Sequence, residues 1–533
     1  MSSFDLPSVR TDAAPDFTDS AGCAKWLQAL PLINVAPSHI RLLGQLDELN
    51  ACKLAPAERL KILELLREPI SFVQREQSKK FSNRPAPLAK TERETFHNVN
   101  LLWSALSLGY QHGLQALIDG ASGLSGQVAL MCQRALWCTG QKMVDHYQAY
   151  QSVAENDWKL LHQLYAFAEG RDAAEVAVAH PLHKGKTKTT CTETYAQVLL
   201  LHLANPGKLT PRQIELISQW LERWTPKVSI GHAPLPTDDG VAPLVVDLSH
   251  ATGATHRPAQ GDDVRHLEIG EVGKSMRKRV GLLRKGETPA ALGLGEDVTA
   301  SLAESLLVML YRRWCEDRES RAHPRRSTSG TAQICSGLAA IHYFVTGQAF
   351  RGAPRELSKV QHEEIATFGR VATRHDETAG TAPTFPLETW QIKDESAPGL
   401  RLERIDPAAN SRLVLDQLLG IRPADAKSFL LCTIRWISVS VEFDLRIGVQ
   451  ILPGVPLGVA IRPDSAAGEQ YTPALMLPSV AALQTPETLV LPAGWFKPDR
   501  VIEVQRESAL RVQLASVVNR GADFERVTFK TAS

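Results

Sequence analysis

The chain has no apolar run approaching the ~20 residues that a membrane-spanning helix needs, and its start, Met1 to Arg10, has no basic stretch leading into an apolar one. Neither a spanning segment nor a secretory leader is therefore read from it, and a soluble, cytoplasmic protein is expected. An excess of one charge sign is also missing: 59 Lys+Arg stand against 58 Asp+Glu, for a net charge of +1. That balance gives no support to wholesale DNA, RNA or membrane binding, although it leaves room for a local basic patch. There is no CxxC pair. The eight cysteines (23, 52, 132, 138, 191, 315, 335 and 432) are scattered, most of them among apolar neighbours, and read as reduced core thiols rather than a disulfide framework. With 533 residues, 44% hydrophobic and 22% charged, the chain is neither collagenous nor disordered and has length for about three domains.

Spacing of apolar residues divides it. Up to Trp224 the period is three and four: Val99, Leu102, Trp103, Leu106, Tyr110, Leu114 and Leu117 trace one helix face, so residues 1–224 read as an all-helical domain. Residues 225–263 are rich in Pro, Gly, Asp and Thr around one apolar run, Leu244 to Leu248, and read as a linker with one possible strand. Two connecting helices are expected within 264–317, near 272–285 and 296–315. From about Arg325 the period changes toward two, with strands predicted at Ala332–Cys335, Trp390–Lys393, Leu400–Glu403, Leu430–Ile437 and Leu445–Leu452. A helical, polar stretch, Pro354 to Arg374, interrupts them. The expected fold class is α+β and multidomain: an all-α N-terminal region, a β domain, and a small β extension over 464–533; that the β domain is an antiparallel β-barrel over 318–463 with a helical insertion at 345–386 is what the resemblance of its motifs to a known family implies.

Few motifs advertise catalysis. Gly273-Lys274-Ser275 ends like a phosphate-binding loop, but the first glycine of that motif is replaced by Glu268, and a helix start is the plainer reading. The helix that follows carries Lys274, Arg277, Lys278, Arg279, Arg284 and Lys285 with no acid among them, as a solvated face or a contact for an acidic partner. His180-Pro-Leu-His183 has no Cys, Asp or Glu partner in a metal pattern, so no metal and no cofactor is assigned.

Two motifs remain. Arg318-Glu-Ser-Arg321-Ala-His-Pro-Arg325-Arg326 precedes the first predicted strand, with Arg321 and Arg325 four apart in a Pro-containing loop. Asp394-Glu-Ser396-Ala-Pro-Gly399 sits between two strand patterns. Together they resemble the RxxxR and D/NxSxxG motifs of PilZ domains, and Thr433-Ile-Arg-Trp436 and Arg446-Ile-Gly-Val-Gln450 are similar to the strands that close such barrels. The resemblance covers about a quarter of the chain, 318–463. It implies a β-barrel that binds the bacterial messenger cyclic di-GMP, through Arg321, Arg325, Arg326, Asp394, Ser396 and Gly399, with Arg318 and Arg435 as further candidates.

The chemistry fits independently. Cyclic di-GMP offers two phosphates and two guanines; guanidinium groups can fork onto phosphate or guanine O6/N7 and stack on a base. Asp394 can accept from guanine N–H groups, Ser396 can bond a phosphate or base edge, and Gly399 permits close backbone approach or positive φ. At roughly 1.5–3 kcal/mol per charge-assisted hydrogen bond, two arginines supply about 6 kcal/mol, short of the ~8 that micromolar binding needs, so both motifs are required.

Alternatives stay open. RxxxR recurs as Arg351/Arg355, which leads into a helix pattern, and as Arg370/Arg374, a competitor for the role of Arg321/Arg325. The arginines could pair with Glu316, Asp317 and Glu319 as a surface network, and Asp394 and Ser396 could serve only a tight turn. Trp390 and Trp436 read as barrel core. The span between Arg325 and Asp394 exceeds that of compact PilZ domains, so an insertion could cover the pocket. The favoured function is a non-enzymatic cyclic di-GMP receptor that relays the messenger to a protein partner through its helical region. A barrel kept only as a protein-interaction scaffold is the alternative, and nucleotide hydrolysis at Lys274 is the third.

Overall fold

Caps and prolines start several helices of the first half. Asp19, Thr190, Thr210 and Thr299 each accept a hydrogen bond from the first-turn amides, and Pro56 and Pro211 occupy first-turn positions where no amide is needed. In the computed structural model, residues 3–180, 182, 188–234, 241–316, 325–350, 385–406, 409–464, 470–506 and 508–532 are described. The chain divides into two units, Met1–Arg321 and Ala322–Ser533.

The first unit runs α1 (Ser20–Gln28), α2 (Val35–Ala51), α3 (Pro56–Ser78), α4 (Lys90–Ile118), α5 (Val128–Gln148) and α6 (Glu155–Glu169). Then come the short strands β1 (Val178–Ala179) and β2 (Lys188–Thr189), α7 (Cys191–Leu203) and α8 (Pro211–Trp224). Its core lies between α4 and α5, where Leu102, Leu106, Tyr110, Met131, Cys132 and Leu136 are fully buried. A Cβ on Gly113 would stand 2.6 Å from Met131 Sδ, so glycine lets these two helices close up. Arg134, buried on α5, places Nε 3.0 Å from Glu64 Oε1, which also accepts from Tyr110 at 2.7 Å.

The segment read as a linker is a small antiparallel sheet. β3 (Ser229–Gly231), β4 (Leu244–Asp247) and β5 (Val264–Glu268) pair in the order β3-β5-β4, because Leu244, Val246 and Leu267 bury their side chains in the helical core. α9 (Gly270–Arg284) and α10 (Ala300–Trp314) follow. All eight cysteines are free and buried, and no helix among the described residues is long and apolar enough to cross a membrane.

The second unit carries β6 (Arg326–Ser327), β7 (Thr331–Ser336), α11 (Leu338–Thr346), β8 (Glu388–Ser396), β9 (Gly399–Arg404), β10 (Leu418–Pro423), β11 (Leu430–Val439) and β12 (Leu445–Ile451). These strands close as β7-β10-β11-β12-β9-β8, with β8 paired again to β7, and β6 extends the pairing along β8. A second closed barrel follows: β13 (Leu457–Pro463), β14 (Thr472–Leu477), β15 (Thr488–Pro492), β16 (Val501–Gln505), β17 (Ala509–Arg520) and β18 (Phe524–Thr531), ordered β13-β14-β15-β18-β17-β16. β13 therefore leaves the first barrel, where the sequence boundary at 463 put it; its partners are β14 and β16. The C-terminal extension is a closed barrel with its own apolar interior around Ile461, Leu489, Ile502 and Leu514.

Among the elements that were not expected are β10 and α11, which starts before the predicted insertion at 345–386; residues 351–384, and with them Arg351, Arg355, Arg370 and Arg374, lie outside the described residues. α11 joins the barrels: Ile341 shares one apolar cluster with Leu418 and Leu431 of the first and Leu475, Val490 and Phe524 of the second. The Leu418 amide donates to Asp523 at 2.9 Å and the Ala522 amide to the Asp416 carbonyl at 3.0 Å, tying the β17–β18 turn to the start of β10.

One buried carboxyl sets a pH dependence in the helical unit. Asp145 meets Ser78 Oγ at 2.8 Å and accepts from Trp103 Nε1 at 2.9 Å. A hydroxyl has one proton to give, and Ser78 Oγ also lies 2.9 Å from the Gln74 carbonyl. With that proton on Gln74, Ser78 accepts from a protonated Asp145. Burial pushes this carboxyl up to about 7, against the pull of the two hydrogen bonds. A raised folded-state value means the folded chain holds an extra proton between the ordinary Asp range and about pH 7, so stability falls as pH rises through that window. Asp145→Asn, which mimics the protonated form, is expected to gain in Tm relative to the native chain between about pH 4.5 and 7.5; a difference that stays constant with pH would refute this.

Candidate functional site

The β8–β9 hairpin builds the candidate site. In the alternation of β8, Trp390 and Ile392 face the interior and are buried, opposite Arg404 and Leu402. A bulge at Lys393 then shifts the register, so that Asp394 stands opposite Arg401. Arg401 pairs with Gly448 of β12, and Gly448 with Trp436 of β11, while the flanking Leu400, Leu402, Ile447, Val449, Ile434 and Ile437 are buried. Asp394, Arg401, Gly448 and Trp436 thus form one cross-strand row on the outer face. This corrects the reading of Trp436 as core: it is half-buried, and its indole lies over Gly448, where a Cβ would overlap the ring. Trp390, by contrast, is fully buried.

Charge gathers on this row. Arg325 pairs with Asp394 Oδ1, and Arg401 Nε lies 2.7 Å from Oδ2, so two guanidinium groups hold one carboxylate. One step along, Lys393 Nζ and Arg446 Nε lie 2.7 and 3.0 Å from Glu403. Burial pushes Glu403 up, but the hydrogen bonds and charges of Lys393 and Arg446 outweigh it and hold the carboxyl below its usual range. Arg446 also lies 4.0 Å from Asp444, so four cations face three carboxylates in this patch.

Of the residues named from sequence, the structure brings Arg325 and Asp394 into contact. Arg326 opens β6 opposite Glu395, beside the Ser327–Asp394 pair. Ser396 and Gly399 close the hairpin, and the Ser396 hydroxyl donates to the Gly399 carbonyl at 3.2 Å. A Cβ on Gly399 would overlap the Val449 carbonyl, so glycine is needed for close approach of β9 to β12 and not for a left-handed turn. Arg435 sits at a bulge of β11 and pairs with Asp416 at 2.8 Å, away from the carboxylate of the row. Arg318 and Arg321 lie outside the described residues.

Arg401 was missed from sequence. Strand alternation in Leu400-Arg-Leu-Glu403 already turns it outward, but only the bulge at Lys393 reveals that it meets Asp394. The hydrolase alternative loses its loop: Gly273-Lys274-Ser275 lies within α9, and the Gly273 amide is spent on the Ile269 carbonyl at 2.9 Å. A Cβ on Gly273 would stand 3.0 Å from Cys315 Sγ, so this glycine serves packing. His180 is buried beside Trp137, His183 lies outside the described residues, and no group of metal ligands occurs among the described ones.

Comparison with known proteins defines the class. A model described as the N-terminal domain of the cyclic-di-GMP receptor FimW matches residues 21–236, and one described as the FimW C-terminal β-barrel domain matches 458–532. Both ends of the chain, together more than half of it, thus carry the domains of one receptor family. At both ends the chain is similar to FimW. The cyclic-di-GMP receptor FimW of Pseudomonas aeruginosa is 23% identical to it, over 93% of this chain and 87% of the relative. The motifs that resemble PilZ domains lie in the first barrel, between the two matched segments; the matched family is FimW, related to PilZ but not identical with it.

Gly448→Ala tests the row. It is expected to displace the Trp436 indole and move its N–H resonance, identified by its loss in Trp436→Phe, with the secondary structure retained by circular dichroism. A resonance left in place would show that the indole does not lie over Gly448.

Proposed function

We propose that the chain is a cyclic di-GMP receptor whose ligand lies on the outer face of the first barrel, over the row Asp394–Arg401–Gly448–Trp436. The observation that carries this reading is the meeting of Arg325 and Arg401 at Asp394, two residues from Gly448 along the row and next to a half-buried indole plane. Each guanidinium can turn a fork to a phosphate, Asp394 can accept from guanine N1–H and N2–H, and Trp436 can stack a base. Base–aromatic stacking of this kind contributes about 1–3 kcal/mol, which, added to the ~6 from two arginines, reaches the micromolar range that arginines alone do not. The relative's name, a cyclic-di-GMP receptor, supports the same ligand. No enzymatic step enters the reading. The messenger is read in the cytoplasm and passed to a protein partner by the helical unit, through a shift between conformations of different ligand affinity.

One observation favours the alternative of a scaffold without ligand: Arg325 and Asp394 already neutralise each other. A phosphate that returns a charge-assisted bond to Arg325 can replace this pairing, because Arg401 continues to hold the Asp394 carboxylate.

Calorimetric titration separates the two. The native chain is expected to bind cyclic di-GMP saturably, and Arg325→Ala, Arg401→Ala and Asp394→Ala are each expected to weaken binding about 10- to 100-fold, the equivalent of one charge-assisted bond. Trp436→Leu is expected to lose less, with Tm unchanged. No heat from a folded chain would leave the scaffold reading, and binding with the native affinity in all four variants would place the ligand away from this row.

A further inference from the structure

The helical unit holds a second cationic site that the barrel's ligand does not use. α9 presents Lys274, Ser275, Lys278 and Arg279 to a groove of about 490 Å³, which Lys227 and the loop residue Leu292 close from other sides. That volume is within the range of small-molecule sites. Four cations line it against one carboxylate, Glu271, and Glu271 is taken by Lys274 at 3.0 Å.

Among the described residues lining the groove, no further acid offsets the remaining charge. Arg279 is held by neutral groups only: Nε donates to the Leu292 carbonyl at 3.2 Å, Nη1 to the Ser275 carbonyl at 3.3 Å and also to Ser275 Oγ, and its plane lies 6.0 Å from the Trp224 ring. Lys227 reaches the same Ser275 Oγ at 3.5 Å. Burial and the neighbouring Arg223 charge hold the Arg279 guanidinium below its ordinary range. The guanidinium is thus fixed in place before any ligand arrives, with the Lys227 ammonium on the same hydroxyl and Lys278 on the same groove.

We propose that this groove binds a small polyanion with clustered phosphates, such as inorganic polyphosphate or the phosphate tail of a nucleotide. Clustered phosphate oxygens suit three close cations better than the spaced single charges of an acidic peptide. Among the described residues no aromatic side chain lines the groove to stack a base, so the phosphates carry the recognition. Side chains alone do the holding, since the amides of Gly273-Lys274-Ser275 are engaged in the helix.

Titration of the full chain with inorganic triphosphate tests this, with ATP and a polyglutamate peptide as further probes. Saturable binding of triphosphate is expected, with ATP equal within about threefold, a strong decrease on raising salt, and at least tenfold weakening in both Lys278→Glu and Lys227→Glu. Both positions are exposed, and unchanged Tm would confirm folding. Asp394→Ala in the barrel is expected to leave triphosphate binding unchanged, which separates this site from the messenger site. Absence of saturable heat, equal affinity in the two lysine variants and the native chain, or tighter binding of polyglutamate than of triphosphate would each overturn the assignment.

Discussion

One carboxylate held between two guanidinium groups organises the outer face of the first barrel. Asp394 meets Arg325 from the segment before β6 and Arg401 from β9, so a single side chain ties the entry of the barrel to its β8–β9 hairpin. The pairing depends on a backbone irregularity: without the bulge at Lys393, the alternation that buries Trp390 and Ile392 would turn Asp394 inward, where an unpaired carboxylate is costly. Local backbone geometry and local charge therefore support each other. The same bulge frees Lys393 to join Arg446 at Glu403, which extends the positive face by one more row.

Behind that face, the barrel is braced by a second one. α11 and the β17–β18 turn fill the seam, and the apolar cluster that runs through Ile341, Leu418, Leu475 and Phe524 belongs to neither barrel alone. A ligand that reorders Arg325 acts on β6 and β8, whose neighbour β7 leads directly into α11. Shared burial of this kind gives a barrel a way to pass on strain, because a packed core changes between discrete arrangements more readily than it deforms.

Much of this was legible in the sequence, for identifiable reasons. The helical period through Val99 to Leu117 and the two-residue period after Arg325 are consequences of which faces are buried, and they separated the units. Arg325, Asp394 and Gly399 were legible because their spacing resembles known motifs. Arg401 and the exposed setting of Trp436 were not, since both depend on strand register, which a bulge shifts and no local pattern announces. β10 escaped because Leu418-Leu-Gly-Ile421 is buried on both faces and shows no alternation. Residues 457–463 fell on the wrong side of the sequence boundary because no strand pattern was read there.

Amide hydrogen exchange on the full chain, with and without cyclic di-GMP, tests the central claim most directly. The account predicts the strongest added protection in β6, the β8–β9 hairpin and the adjoining stretch of β11 and β12, with the second barrel's interior strands unchanged. Binding accompanied by protection elsewhere, and none at 394–401, would contradict it.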